Sequence, residues 1–233
     1  MGFASLNPSY GDAMRRIYAV GDIHGSLGKL QNLVARCEED TGGRPMTFVF
    51  LGDYIDRGPQ SRGVVEYLIE LQSRMSGHMI PLMGNHEALA LAAIDSSLDE
   101  GGWLLEGGDM TLASYHAGSA HELPGKHVAW LRSLRLTYDD GRRLFVHAGV
   151  NPEKPLDAQD DPDLLWIREP FLSDARDYGR LIVHGHTPTP TGRPDLRANR
   201  LNIDTGAVYG RALTAAVFDG EQTGPVAFIQ ASE

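Results

Sequence analysis

Along the first hundred residues, short apolar runs alternate with segments whose apolar positions recur every three or four residues. Arg16–Val20, Met46–Leu51 and His78–Met83 have the length and density of buried strands, and they run up to Gly21, Gly52 and Gly84. After Ser26, a helix N-cap candidate, Leu30, Leu33, Val34 and Cys37 follow i, i+3, i+4, i+7 spacing and predict an amphipathic helix. Val64, Val65, Leu68, Ile69 and Leu71 form a second helical stripe, and Glu87–Ile94 a third. This strand–helix alternation predicts a parallel sheet with right-handed crossovers.

The second half is patterned differently. Residues 99–126 are rich in Gly and His and weakly periodic, which suggests a substrate-side insertion with some helix. Leu134–Tyr138 and Arg143–Val146 flank Asp139-Asp140-Gly141, a hairpin signal. Leu181–Val183, Arg200–Ile203, Ala212–Phe218 and Val226–Ile229 read as strands, and residues 187–199, with three prolines, as a loop. The expectation is one α/β domain over residues 1–233, with two mixed sheets packed as a sandwich and flanked by helices.

Composition narrows the function. A hydrophobic fraction of 42% and a charged fraction of 22% fit an ordinary globular protein. The net charge of −10 argues against a sequence-independent nucleic-acid binder and against attraction to anionic lipid. A single cysteine, Cys37, excludes an intramolecular disulfide and a cysteine zinc cage. Met1–Arg16 lacks the apolar core of a signal peptide, and no apolar run approaches the roughly 18 residues of a membrane span. The expected location is cytoplasmic, with neither nucleic acid nor membrane as partner.

Candidate chemistry follows the strand ends. Gly21-Asp22-Ile23-His24-Gly25, Gly52-Asp53-Tyr54-Ile55-Asp56-Arg57-Gly58 and Gly84-Asn85-His86-Glu87 each follow a predicted strand. Asp22, Asp53 and Asn85 are spaced 31 and 32 residues apart, about one βαβ repeat, so they fall on one rim where α/β sheets gather ligands. His147-Ala148-Gly149 and His184-Gly185-His186-Thr187 add imidazoles at two later strand ends. Asp22 and His24, two apart in extended chain, project the same way, whereas the adjacent Asn85 and His86 oppose each other. Asp, Asn and His together suit a transition-metal centre. Any one of these residues alone would read as a cap or turn residue; six in ordered segments do not. Other chemistries fail on spacing. The chain lacks a phosphate-binding G-x-x-x-x-G-K-[ST], a G-x-G-x-x-G and a G-x-S-x-G, and Ala90 stands where a zinc-protease motif starting at His86 needs His. Arg44 lies seven positions after Cys37, one too many for a thiol phosphatase loop.

The ordered segments GDxHG, GDxxDRG, GNHE, HAG and GHT make residues 16–218 similar to the calcineurin-like metallophosphoesterases. Within these the chain resembles the phosphoprotein phosphatases, in their bacterial, lambda-phage-like serine/threonine branch; Ile203-Asp-Thr-Gly-Ala-Val208 also looks like that branch's ending. The resemblance implies that Asp22, His24 and Asp53 hold one ion, and that Asp53 bridges to a second held by Asn85, His147 and His186. It further implies a hydroxide between the ions as nucleophile, His86 as general acid oriented by Asp56, and Arg57 and Arg168 as phosphate clamps. Such a centre is locally positive despite the acidic chain. The ions expected are two divalent cations, Mn²⁺ first, with Fe, Zn or Ni as alternatives. The implied substrates are phosphoserine and phosphothreonine in proteins or peptides, with phosphotyrosine as a further option. The alternative is a bis(5'-nucleosyl)-tetraphosphate, although the symmetric hydrolases of that class usually carry Ala where Asp56 stands and GNHD in place of GNHE. A non-catalytic binding module predicts a damaged ligand set, and this one is intact.

Several residues keep two readings. Arg168 could instead pair with Glu169 or a nearby Asp at the surface. His184 is a strand-end residue or supports a neighbouring ligand. His116, His121 and His127 are expected in solvent, and Cys37 in the core. Trp103 and Tyr209 either line the cleft or simply pack, and Asp157–Asp163 is an acidic solvated loop that could select basic peptides.

Overall fold

The computed structural model describes residues 15–96, 99–220 and 222–233. The Met1–Arg16 reading therefore falls almost wholly outside the described residues. The chain runs β1 (Arg16–Val20), α1 (Leu27–Thr41), β2 (Met46–Phe50), α2 (Ser61–Arg74), β3 (Met79–Pro81), α3 (Asn85–Asp95), α4 (Glu100–Trp103), α5 (Asp109–Tyr115) and α6 (Gly125–Arg132). It continues through β4 (Thr137–Asp139), β5 (Arg143–Val146), α7 (Asp161–Trp166), β6 (Leu181–His184), β7 (Asp195–Leu196), β8 (Arg200–Asn202), β9 (Leu213–Phe218) and β10 (Ala227–Ala231).

Two mixed five-stranded sheets form, in the orders β10-β9-β1-β2-β3 and β4-β5-β6-β8-β7. Strands β1, β2 and β3 are parallel, with Tyr18 opposite Phe48 and Val49 opposite Ile80. Strands β5, β6 and β8 are parallel as well. The two-residue side-chain period divides each central strand between two cores. Ala19, Val49, Leu51, Ala216 and Phe218 meet Phe145, Val183 and Leu201 between the sheets. Tyr18, Val20, Phe48 and Phe50 face the other way, onto Leu30, Leu33 and Cys37 of α1 and Val64, Val65 and Leu68 of α2. Burial on both faces explains why these strands read as continuous apolar runs. A third cluster, including Ile182, Leu164 and Phe171, covers the outer face of the second sheet. Cys37 is buried as expected.

The differences from the sequence reading are local. Helix α3 begins at Asn85, not Glu87, because Gly84 takes the N-cap and Glu87 accepts its N–H at 2.9 Å in a capping box. Asn85 and His86 thus sit in a helical first turn. Ser26 occupies the N-cap of α1, but its side chain makes no capping hydrogen bond. Strand β3 stops at Pro81, and Leu82 instead bridges to Arg135. The expected hairpin is present as β4 and β5, antiparallel, with β4 shifted to Thr137–Asp139. The 187–199 loop contains the short edge strand β7, antiparallel to β8. Residues 99–126 are mostly helical, and just beyond them, in α6, His127 is buried and shares a 2.9 Å hydrogen bond with Tyr115, against the solvated position expected. The acidic tract is not wholly loop, since α7 starts at Asp161. Among the described residues, no helix is long and apolar enough to cross a membrane.

Phe145 is fully buried between the sheets, edge-on to Phe218 at 5.9 Å and stacked on Tyr138 at 5.7 Å. Phe145→Ala is expected to destabilise the metal-free protein by about 3–5 kcal/mol in urea unfolding. A loss under about 1 kcal/mol would mean that this ring does not join the sheets.

Candidate metal centre

The carboxyl ends of β1, β2 and β3 in one sheet, and of β5 and β6 in the other, open on the same edge of the sandwich. Asp22 and His24 lie just after β1, Asp53 just after β2, and Asn85 and His86 in the first turn of α3. His147 directly follows β5, and His186 lies two residues beyond β6. Backbone bonds tie these loops together. The N–H groups of Ile23 and His24 donate to the Asp53 carbonyl at 3.0 and 2.9 Å, and Gly185 N–H donates to the His147 carbonyl at 2.8 Å. All six predicted ligands are buried.

The loops hold unusual conformations. His24, Asp53, Asp56, Arg57 and His186 all have φ between 45° and 71°, in the left-handed region. Among the described residues only two other non-glycine positions do so, Ser76 and His116. Each costs about 1–3 kcal/mol and persists only where its surroundings fix it. Around Asp53, Glu87 does the fixing: its carboxylate accepts the N–H groups of Asp53 (2.9 Å), Tyr54 (2.8 Å), Ile55 (3.3 Å) and Gly84 (2.9 Å). Gly84 is required here, because a Cβ on it would lie 2.2 Å from Asp53 Oδ1.

Two clusters of donor atoms converge, His24, Asp53 and His86, and Asp53, His147 and His186, with Asp53 common to both. Asp22 lies beside them and in neither; its carboxylate accepts the His186 N–H at 3.1–3.2 Å. The proton arrangement tests whether cations fit. His24 and His147 donate from Nδ1 to the Ile55 and Leu51 carbonyls, each at 2.8 Å, which leaves a lone pair on each Nε2; the one on His24 accepts Arg57 Nη1–H at 3.0 Å. Burial keeps both rings neutral: it lowers the His24 pKa, and it pushes that of His147 down to about 3. His147 Nε2 faces Asn85 Oδ1 at 2.8 Å and Asp53 Oδ1 at 3.4 Å, three acceptor atoms together once Asp53 is ionised. His24 Nε2 also lies 3.4 Å from Asp53 Oδ2. Asn85 Oδ1 also meets His186 Nδ1 at 2.9 Å. Converging lone pairs, with ring tautomers fixed by backbone carbonyls, are what a cation needs.

Charge points the same way. Burial raises the pKa of Asp22 and of Asp53 well above the usual carboxylate range, reinforced by Asp204 for Asp22 and by Glu87 for Asp53. Burial likewise pushes Glu87 and Asp56 up to about 7 and Asp204 up to about 6. Without positive charge beside them these buried carboxyls take up protons; divalent ions favour their ionised form. The residues present therefore fit a pair of divalent ions.

His86, a member of the first cluster, also pairs with Asp56. Asp56 Oδ2 meets His86 Nδ1 at 2.8 Å, and His86 Nε2 is buried without a hydrogen-bond partner among the described residues, 4.0 Å from Asp53 Oδ2. Burial, with Arg57 adding to it, pushes His86 down to about 3. Arg57 Nη1 donates to His24 Nε2 at 3.0 Å, and Nη2 lies 3.5 Å from Glu106. Arg168 is exposed just beyond α7 and forms no ion pair among the described residues; Glu169 accepts from Ser173 instead. The Arg168 charge reaches the cluster, since it lowers the pKa values of His147 and His186. His184 is buried on the outer face of the second sheet, edge-on to Phe171 at 5.0 Å, and joins neither cluster. Tyr209 is exposed, whereas Trp103 is fully buried and donates to Asp56 at 2.8 Å. Glu87, Asp204 and Thr111 carry no site role in the sequence reading, and Trp103 only the alternative of lining the cleft. Glu87 and Asp204 stand inside the motifs that signal the site; Thr111 and Trp103 have no local signal.

Residues 15–210 match the family model for calcineurin-like phosphoesterases. A serine/threonine-protein phosphatase 1 of Salmonella typhimurium is 34% identical over 211 residues, covering 87% of this chain and 91% of that protein. A Geobacillus protein named bis(5'-nucleosyl)-tetraphosphatase PrpE [asymmetrical] is 30% identical, covering 86% and 89%. Among solved structures, a serine/threonine phosphatase from Saccharomyces cerevisiae superposes with a TM-score of 0.66 at 15% identity, over 96% of this chain and 82% of its own. A cold-active protein-tyrosine phosphatase from a Shewanella species does so with 0.61 at 18% identity, over 94% and 80%. These last two show the shared fold. The chain belongs to the calcineurin-like phosphoesterase family, whose members use a dinuclear metal centre, and it is a hydrolase.

If the lone-pair clusters seat ions, Mn²⁺ added to metal-stripped protein is expected to raise the melting temperature by about 5–10 °C at saturating concentration. Asp53→Asn, which weakens the residue common to both clusters, is expected to lose most of that rise. An equal rise in wild type and variant would place the ions elsewhere.

Proposed function

We propose that this member of the family is a metal-dependent phosphomonoesterase acting on phosphoserine and phosphothreonine in proteins, with Mn²⁺ as its metal. Asp22, His24 and Asp53 would hold one ion, and Asp53, Asn85, His147 and His186 the other. Ions bound there supply a water activated at neutral pH and offset the charge of the phosphate oxygens. Arg57, with its guanidinium partly exposed beside His24, and Arg168, exposed and in no ion pair among the described residues, are suited to grip the remaining phosphate oxygens through their planar forks.

The buried His86–Asp56 pair is the observation that carries the choice of substrate. A serine alkoxide is a very poor leaving group and needs a proton as the P–O bond breaks; a nucleotide leaving from a phosphoanhydride is far less basic and needs little help. His86 offers Nε2 for that proton while Asp56 holds Nδ1 at 2.8 Å. A phosphate dianion entering beside the ring favours the protonated imidazole over the neutral one that burial imposes.

A second reading, hydrolysis of bis(5'-nucleosyl)-tetraphosphates, is favoured by the nearly full-length similarity to proteins named for that activity. Turnover of phosphoserine and phosphothreonine peptides, measured beside nucleotide release from diadenosine tetraphosphate with Mn²⁺ present, separates the two. The phosphopeptides are expected to have the higher kcat/KM, and His86→Asn to lower their kcat by about 10²–10⁴-fold. Release of phosphate from no phosphopeptide would overturn the proposal. A higher kcat/KM for diadenosine tetraphosphate would install the second reading.

A further inference from the structure

The segment predicted as a substrate-side insertion reaches the Asp56 carboxylate from behind. Trp103, the last residue of α4, donates Nε1–H to Asp56 Oδ2 at 2.8 Å, on the same oxygen that faces His86. Thr111, in α5, donates its hydroxyl to Oδ1 at 2.6 Å. Its oxygen also accepts the Asp56 N–H at 2.9 Å, a bond that Asp56 shares with Ser61 Oγ at 3.1 Å. Asp56, Trp103 and Thr111 are all fully buried.

Each of these bonds restricts a different freedom. An aspartate side chain can turn about its terminal torsion and exchange its two oxygens. Thr111 takes one oxygen and the backbone N–H together, so it fixes the carboxylate relative to a main chain held at φ 71°. An indole N–H can only donate, so Oδ2 receives Trp103 and presents its remaining lone pair to His86 Nδ1. The segment that carries both residues is docked to the same loop, since Arg57 N–H donates to the Gly107 carbonyl at 3.1 Å. Gly108 lets the chain fold over the indole; a Cβ there would lie 2.5 Å from the ring.

We propose that Trp103 and Thr111 are positioning residues that hold the Asp56 carboxylate so that His86 presents Nε2 to the leaving oxygen. The 99–126 segment then serves proton delivery, in addition to any contact with substrate. This rests on the general-acid role of His86 given above.

The test uses the Mn²⁺-loaded full chain and phosphate monoesters of graded leaving group: p-nitrophenyl phosphate, phenyl phosphate and a phosphoserine peptide. Trp103→Phe keeps the aromatic bulk without the N–H, Thr111→Val keeps the shape without the hydroxyl, and Thr111→Ser restores the hydroxyl. In the first two variants kcat is expected to fall about 10- to 100-fold for phenyl phosphate and the phosphoserine peptide, but less than about threefold for p-nitrophenyl phosphate. KM is expected to stay near its original value, and Thr111→Ser to recover most of the loss. A merely structural role would depress all three substrates alike, and that result, alongside a leaving-group-dependent loss in His86→Asn, overturns the inference alone. If His86→Asn itself loses rate equally on all three, the general-acid reading fails and the inference fails with it. Should Trp103→Phe not fold by circular dichroism, the Thr111 variants decide.

Discussion

Ring lone pairs and buried carboxylates that converge on one rim, and can be ionised together only beside positive charge, are the constraint on which this structure turns. His147 Nε2, Asn85 Oδ1 and the Asp53 carboxylate meet within 3.4 Å, and His24 Nε2 approaches the same carboxylate from the other side. In a buried setting such an arrangement is repulsive, and the protein stabilises it from outside. Backbone carbonyls of Leu51 and Ile55 fix the imidazole tautomers. Glu87 gathers four N–H groups and with them the left-handed turn at Asp53. A rim so expensive in strain and electrostatics is explained by ions that offset both.

The sandwich follows from the same requirement. The first sheet alone delivers Asp22, Asp53 and Asn85 from its three parallel strands, but not the two imidazoles of the second cluster. A second sheet with its own parallel core, packed so that β5 and β6 end on the same edge, supplies His147 and His186. The apolar layer of Ala19, Val49, Phe145 and Val183 holds the two half-sites in register. The packing that fixes the fold therefore also sets the spacing of the site.

Strands buried on both faces were plain in the sequence because alternation is suppressed and the runs end in glycine, as at Val20-Gly21 and Leu51-Gly52. The rim residues were legible for a related reason: each follows such a strand within a few positions. What stayed hidden depends on contacts distant in sequence. The early start of α3 comes from the Glu87 side chain turning back to Gly84. Trp103 and Thr111 lie 47 and 55 residues from Asp56, in a stretch whose glycines blur helical periodicity, so nothing local marks their bond to it. His127 looked polar and solvated until Tyr115 supplied its partner.

The direct measurement is diffraction from crystals grown with Mn²⁺, with anomalous maps recorded on either side of the manganese absorption edge. Two edge-specific peaks, one on each side of the Asp53 carboxylate and within bonding distance of His24 and of His147, are the predicted result. A single peak away from Asp53, or a rim without any, would contradict the account.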